Sequence, residues 1–364
     1  MERNRENHLS WAATISIVIV VTLLAYLLSG ALSGSNAGFI RSAVPLSIPA
    51  SSGIKISGNR IFYYDGAQLH ALNDSGSQRW NFPAGIDAEY SATEYGVATW
   101  TGSRLSLIDP ESGATLYTGE LSDTIISAKM SSTYAAAVLS PEHSGTILIL
   151  ERNGRQIDRI TLDDQTVLDY GFFSNNDLFW VLSLNTQGSI PTCTISTYRP
   201  GKMITGSISD TDQIIYKVIF HSSTVEAFGL TYAKTYDYTC IEDQDARKLI
   251  YGWFLKDFED TEGYTLQAYV PTDQTDGTNG IRDLKMVYGT YSRTARFPFA
   301  AKMIECKAGR IYGFSDQYVM SIGPGESKFS TYELPVRMER VVGMTESKKA
   351  VVISGGTVYL VSVP

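Results

Sequence analysis

The chain repeats itself, and the repeat is built of strands. Residues 60–80 read RIFYYDGAQLHALNDSGSQRW, and residues 96–117 read GVATWTGSRLSLIDPESGATLY. In each copy a β-rich run ends in a two-residue turn, Asp65-Gly66 or Thr101-Gly102. Short hairpin turns need positive φ, which makes Asp-Gly a strong hairpin signal. A second run follows, with Leu69, Ala71 and Leu72 matching Leu105, Leu107 and Ile108. Asn73 or Asp109 then opens a turn through Gly76 or Gly113, and an aromatic follows four residues later, Trp80 or Tyr117. Leu69 and Leu105 stand 36 residues apart. Looser copies are GTILILERNGRQIDRITL at 145–162, GRIYGFSDQYVMSIGPGESKFSTYEL at 309–334 and KAVVISGGTVYLVSV at 349–363. A period near 40 residues, holding about four strands, is the signature of a β-propeller blade.

From Gly53 to Pro364 the chain consists of short alternating or apolar runs separated by Gly, Asp, Asn, Ser and Pro, without an amphipathic helix. The fold class is all-β: a propeller of about eight blades, seven being the alternative count. Blades are expected to begin near residues 54, 87, 125, 167, 213, 254, 301 and 338. The last has only three strands before the chain stops. The segment Val44-Pro45-Leu46-Ser47-Ile48-Pro49 is expected to supply its outer strand, with a plain linker over 33–52 as the alternative. Closing the ring with both chain ends removes an open edge. An outer strand also tolerates Pro45 and Pro49.

Here the chain resembles a known family. The stretch from Arg60 to Trp80 and its weaker copies look like the PQQ-like repeat of quinoprotein-like propellers. These include pyrroloquinoline-quinone alcohol dehydrogenases and a lipoprotein subunit of the bacterial outer-membrane assembly machine. The likeness is good over blades one and two, fair over three, seven and eight, and weak over four to six. The overall plan also resembles uncharacterised membrane-anchored propeller proteins of Gram-positive bacteria. The dehydrogenases imply a vicinal cysteine pair at their cofactor site. Cys193, Cys240 and Cys306 are far apart, so that cofactor is not carried over and none is expected.

The N-terminus points to a membrane. Residues 11–28 read WAATISIVIVVTLLAYLL, and the uncharged stretch continues to Leu32. At 1.5 Å per residue it spans about 33 Å, close to a roughly 30 Å hydrocarbon core. Ile17 to Val21 leave no polar face. A cleaved signal peptide is the competing reading, with Ser35-Asn36-Ala37 as its cleavage site, but the run exceeds the usual signal core. Arg3 and Arg5 precede the stretch, and the next basic residue is Arg41, which favours the tail inside. The expected organisation is a short cytoplasmic tail (1–10), a transmembrane helix (11–32), a tether (33–43) and a propeller closed by strands from both ends (44–364). The expected place is the cell membrane: single-pass, propeller on the extracellular face. A propeller facing the cytoplasm is the contrary orientation.

Candidate chemistry is sparse. The formal charge of −8 argues against a nucleic-acid binder. The three cysteines and four histidines show no metal-site spacing. Cys193 and Cys240 could pair in an oxidising compartment or serve as small buried hydrophobes. Residues 272–283, TDQTDGTNGIRD, do not fit a calcium loop and read as a long hairpin loop. Tyr232, Tyr236 and Tyr238 fall at even spacing, which places them on one face of a strand. An exposed row could bind a partner or stack on sugar; a buried one would pack blades together. The acidic stretch that includes Glu242, Asp243, Asp245, Glu259 and Asp260 could form a partner surface or supply carboxylates for glycoside hydrolysis. These eight residues are the candidate partner-binding set. The function expected is a protein-binding or scaffolding module of the cell envelope, without catalysis. Its partners would be membrane or envelope proteins, with cell-wall glycan a further candidate. The alternative is an enzyme or binding protein for envelope carbohydrate or peptide.

Overall fold

In the computed structural model the described residues are 37–364, apart from 41, 52, 141–143, 174–177, 222–223, 238, 262–263 and 276–279. They form eight antiparallel meanders, 53–83, 89–120, 125–163, 165–210, 215–249, 253–301, 303–333 and 340–362. Each begins within two residues of the start expected from the sequence. The count is eight. Among the described residues no helix is long and apolar enough to cross a membrane; the apolar stretch 11–32 lies outside them.

The ring closes between its two ends. Ala43–Pro49 pairs antiparallel with Thr357–Ser362 and is the outermost strand of blade eight. Part of the segment read as a tether is also strand: Gly38–Phe39 runs parallel to Ser330–Glu333 as a fifth strand of blade seven. The chain therefore joins the ring at the outer rim of blades seven and eight, opposite blades three and four.

Burial follows position within a blade. The second strand is covered on both faces by neighbouring blades, so it reads as an unbroken apolar run. Val97–Thr101 is buried through Trp100, and Tyr134–Leu139 is buried from Ala135 onward. The outer strand Gln156–Asp163 buries Ile160 and Leu162 and exposes the alternating Arg159, Thr161 and Asp163. The core is accordingly divided into apolar clusters that lie between blades, such as Phe62, Leu69, Trp80, Tyr90, Val97 and Ile108 between blades one and two.

The recurring aromatic and glycine are partners across blades. A Cβ built on Gly113 would lie 2.6 Å from the Trp80 ring, and one on Gly154 would fall on the ring of Tyr117. Both glycines have positive φ, 72° and 86°. The outer strands of blades one and two thus each lay a side chain on the turn glycine of the next blade. Leu46 does the same to Gly76 where the ring closes.

Candidate functional site

The first strand of a blade faces the axis, and at several neighbouring pairs it is clipped to the next by side chain–main chain bonds. Lys55 Nζ donates to the Tyr90 carbonyl, and Lys129 Nζ to the Tyr170 carbonyl at 2.7 Å. On the far side of the ring the polarity reverses. The Cys306 N–H donates to Asp257 Oδ2 at 2.6 Å, and the Met344 N–H to Glu305 Oε1 at 3.0 Å. Glu259 accepts the N–H groups of Ala308 and Gly309 at 2.7 Å each.

Glu305 is the strained member of this set. Burial raises its pKa to about 7, and Asp257 and Glu259 add to the rise. Its Oε2 is buried without a hydrogen-bond partner. The unfolded carboxyl titrates near 4.5. Between that value and about 7, the unfolded chain releases the proton while the folded chain keeps it. Stability therefore falls as pH rises through this window. Glu305→Gln keeps the acceptor for Met344 and is expected to stabilise the ring above pH 7 by up to about 3 kcal/mol. It should have little effect at pH 4. Urea denaturation at the two pH values checks this; equal effects at both would refute it.

The eight residues marked in the sequence do not converge. Tyr236 is 6% exposed and packs with Trp180, Ile195 and Ile208 between blades four and five. It follows the interblade-packing alternative and offers no surface to a partner. Tyr232 is half-buried under the Arg247 guanidinium, and its main chain bonds both ends of the Gln213 amide. Tyr238 lies outside the described residues. Glu242 pairs with Arg247 at 2.7 Å, and Asp243 caps its own turn through the N–H groups of Asp245 and Ala246. These residues and the exposed Asp245 sit on the outer rim of blade five. Glu259 and Asp260 sit on the innermost strand of blade six, Trp253–Thr261. The carboxylates thus fall at opposite radii of the ring. The three cysteines are free; Cys193 and Cys306 are buried. Among the described residues no cluster of His, Cys, Asp or Glu is arranged to hold a metal.

Asp260 approaches His221, which lines a polar cleft of about 200 Å³ between blades five and six. Glu226, 4% exposed, lies at its centre and accepts from Lys248 Nζ at 3.0 Å and Gln267 Nε2 at 2.7 Å. Burial opposes its charge, but His221, Lys248 and Gln267 outweigh burial and hold the carboxyl below its ordinary value. His221 lies between two carboxylates, 3.5 Å from Glu226 and 3.7 Å from Asp260. The sequence reading missed Glu226. Its signal was a charge inside the buried run Val225-Glu226-Ala227-Phe228. Lys234, 3% exposed between Asp210 and Asp212, was missed as well.

An exposed apolar feature lies on one face. In a four-stranded meander, the turns between strands two and three share a face with the connections between blades. That face is here called upper. On it, the first strands of blades three and four each carry a bulge, at Ile126 and Leu168. A bulge re-aims its side chain out of the ladder, and both residues are exposed. Between them opens a cleft of about 530 Å³, lined also by Val138, Leu139, Lys129 and Asp169. Ile214, Leu230, Leu249 and Tyr251 continue the exposed apolar arc over blade five to the edge of blade six.

No protein-family model matches the chain, and no curated protein matches it. Solved structures do. The chain is similar to BamB from Moraxella catarrhalis (TM-score 0.55, 11% identity, 89% of this chain and 99% of that one). It is similar to Sqt1 from Saccharomyces cerevisiae (0.61, 9%, 90% and 100%). It is also similar to the WD40 domain of SCAP from fission yeast (0.59, 10%, 88% and 98%). At such identities the likeness shows the fold, an eight-bladed propeller, and the repeat resemblance is sound at that level.

Proposed function

We infer that this protein is a membrane-anchored, extracytoplasmic binding module of the cell envelope that holds other membrane or envelope proteins and performs no catalysis. The observation that carries this reading is the exposed apolar arc from Ile126 to Tyr251 on the upper face. Exposed apolar side chains gathered on one face of a soluble domain mark interaction sites. The arc lies on blades three to five, away from the rim where the chain joins the ring. An anchor at 11–32 would leave that face free, and tethering would raise the ring's effective concentration toward membrane partners. The marked carboxylates support the reading by being occupied: Glu242 in an ion pair, Asp243 in a cap and Glu259 between blades. Deleting residues 1–32 is expected to release the protein from membranes as a soluble, β-rich ring with an unchanged denaturation midpoint. Membrane association that survives the deletion would count against the anchor.

One observation favours a second reading, the binding or cleavage of envelope glycan. Glu226 and Asp260 both reach His221 in the cleft between blades five and six. Glycoside hydrolysis uses paired carboxylates. Glu226→Gln is the test: loss of glycan binding or turnover would favour this reading over scaffolding.

A further inference from the structure

The charges on the two faces are distributed unequally. The connections on the upper face carry Asp65, Asp87, Asp123, Asp164, Asp212 and Asp316. Among the described residues of those connections the lysine and arginine are Lys302 and Arg337, and both pair with Asp316. The lower connections mix Arg152, Arg155, Lys202 and Lys348 with their carboxylates. The acidic groups on the upper face are also in step with the apolar arc. Asp123 precedes Ile126, Asp164 precedes Leu168 and Asp212 precedes Ile214. Each exposed apolar side chain on the approach to blades three, four and five thus has a carboxylate two to four residues before it. The propeller repeat sets these pairs at blade spacing around the channel mouth. Asp212 is partly neutralised by Lys234, while Asp164 is exposed.

We propose that the upper face of blades three to five docks a basic segment of a partner protein, with apolar anchors set between its lysines or arginines. The proposal rests on the protein-binding reading and names its surface and partner chemistry. Apolar anchors would seat in the cleft between Ile126 and Leu168 and against Ile214, Leu230 and Tyr251. Basic side chains would meet Asp123 and Asp164. Complementary charge steers encounter and sets register, and the buried apolar anchors supply most of the affinity. Other occupants fit poorly. A second copy mating through this face would bring like charges together, and an anionic bilayer surface would be repelled by it.

The test uses the full chain in the cells that make it. A photo-crosslinking amino acid replaces Leu168 or Tyr251 on the upper face, or Tyr291 on the lower face, and the captured peptides are sequenced. The expected result is one protein captured from both upper positions, through a segment of net positive charge. Capture should fall about tenfold, equivalent to 1.4 kcal/mol, when Asp123→Lys and Asp164→Lys are combined. Because Asp164 stands at φ 55° and Asp123 Oδ1 accepts the Thr124 N–H, the chain carrying Asp123→Asn and Asp164→Asn is the reference for folding, and the reversed chain should melt within a few degrees of it. Ile126→Ser gives a second loss of capture without changing charge. Capture of lipid, of a second copy or of acidic segments from the upper positions would overturn the proposal, as would capture indifferent to charge reversal. Capture from Tyr291 alone would overturn this surface and leave the protein-binding reading standing. Absence of protein capture from all three positions would overturn both.

Discussion

A chain that begins at residue 50 is expected to lose cooperative folding, while one that begins at residue 33 keeps it. Besides the short strand Gly38–Phe39 on blade seven, the difference is the strand Ala43–Pro49. It is the outermost strand of blade eight, and removing it leaves Thr357–Ser362 as an open edge. It also carries two of the side chains that join blade eight to blade one. Leu46 and Ile48 are 7% and 5% exposed, and they pack with Ile61, Tyr63, Val351 and Leu360. Losing a buried aliphatic costs about 2–5 kcal/mol. Losing both approaches the whole stability of a typical domain, about 5–15 kcal/mol. Denaturation in urea followed by circular dichroism checks it. The longer chain should unfold in one sharp transition, and the shorter in a broad one displaced to low urea. Equal midpoints would mean that the ring closes without its N-terminal strand. The point change Leu46→Ala, at about 2–5 kcal/mol, is the milder form of the same experiment.

The blades were legible because the period of the chain is a property of local turns. Gly66, Gly102 and the Gly355-Gly356 pair sit where φ is positive, so hairpins are written in residue types. Even the weakly repetitive blades four to six begin within two residues of expectation. The closing strand was legible for a different reason: a ring short of one strand needs it, and its prolines fit an outer edge. The fifth strand of blade seven left no such trace. Gly38 and Phe39 are too short a run to show periodicity, and their pairing is with a strand nearly 300 residues away. The site was less legible still. Even spacing placed Tyr232 and Tyr236 on one face of a strand, but spacing does not tell whether that face meets solvent or the next blade. In Tyr236 it met the next blade. The acidic stretch 242–260 looked continuous because it is continuous in sequence. A propeller sends the end of one blade to the rim and the start of the next to the axis, which separates Glu242 from Glu259. The bulges at Ile126 and Leu168, which open the upper cleft, exist only in the register between strands, where one residue more stands on one side than on the other.

Trp80→Ala is expected to destabilise the ring by about 3–5 kcal/mol, the range for a buried large aromatic. Trp80 is 7% exposed and sits against Phe62, and its Nε1–H donates to the Pro110 carbonyl at 3.0 Å. Its ring covers Gly113, so truncation opens a void beneath the turn of blade two as well as within blade one. Trp80→Phe should recover much of the loss. What it fails to recover reports the hydrogen bond to Pro110, about 0.5–1.5 kcal/mol for a neutral pair. The glycine side gives the matching test. Gly113→Ala adds a methyl where the ring already lies and strains a residue at φ 72°. It should therefore destabilise although it removes nothing. If Trp80 and Gly113 are a single contact, the double variant will cost less than the two single changes together, because the smaller side chain makes room for the methyl. Additive costs, or a Trp80→Ala effect below about 1 kcal/mol, would detach the sequence repeat from the contact between blades that explains it. The sequence periodicity would then reflect turns alone. A sub-additive result would mean that the repeat encodes the docking of blade one on blade two, a contact repeated by Tyr117 on Gly154 and by Leu46 on Gly76 where the ring closes.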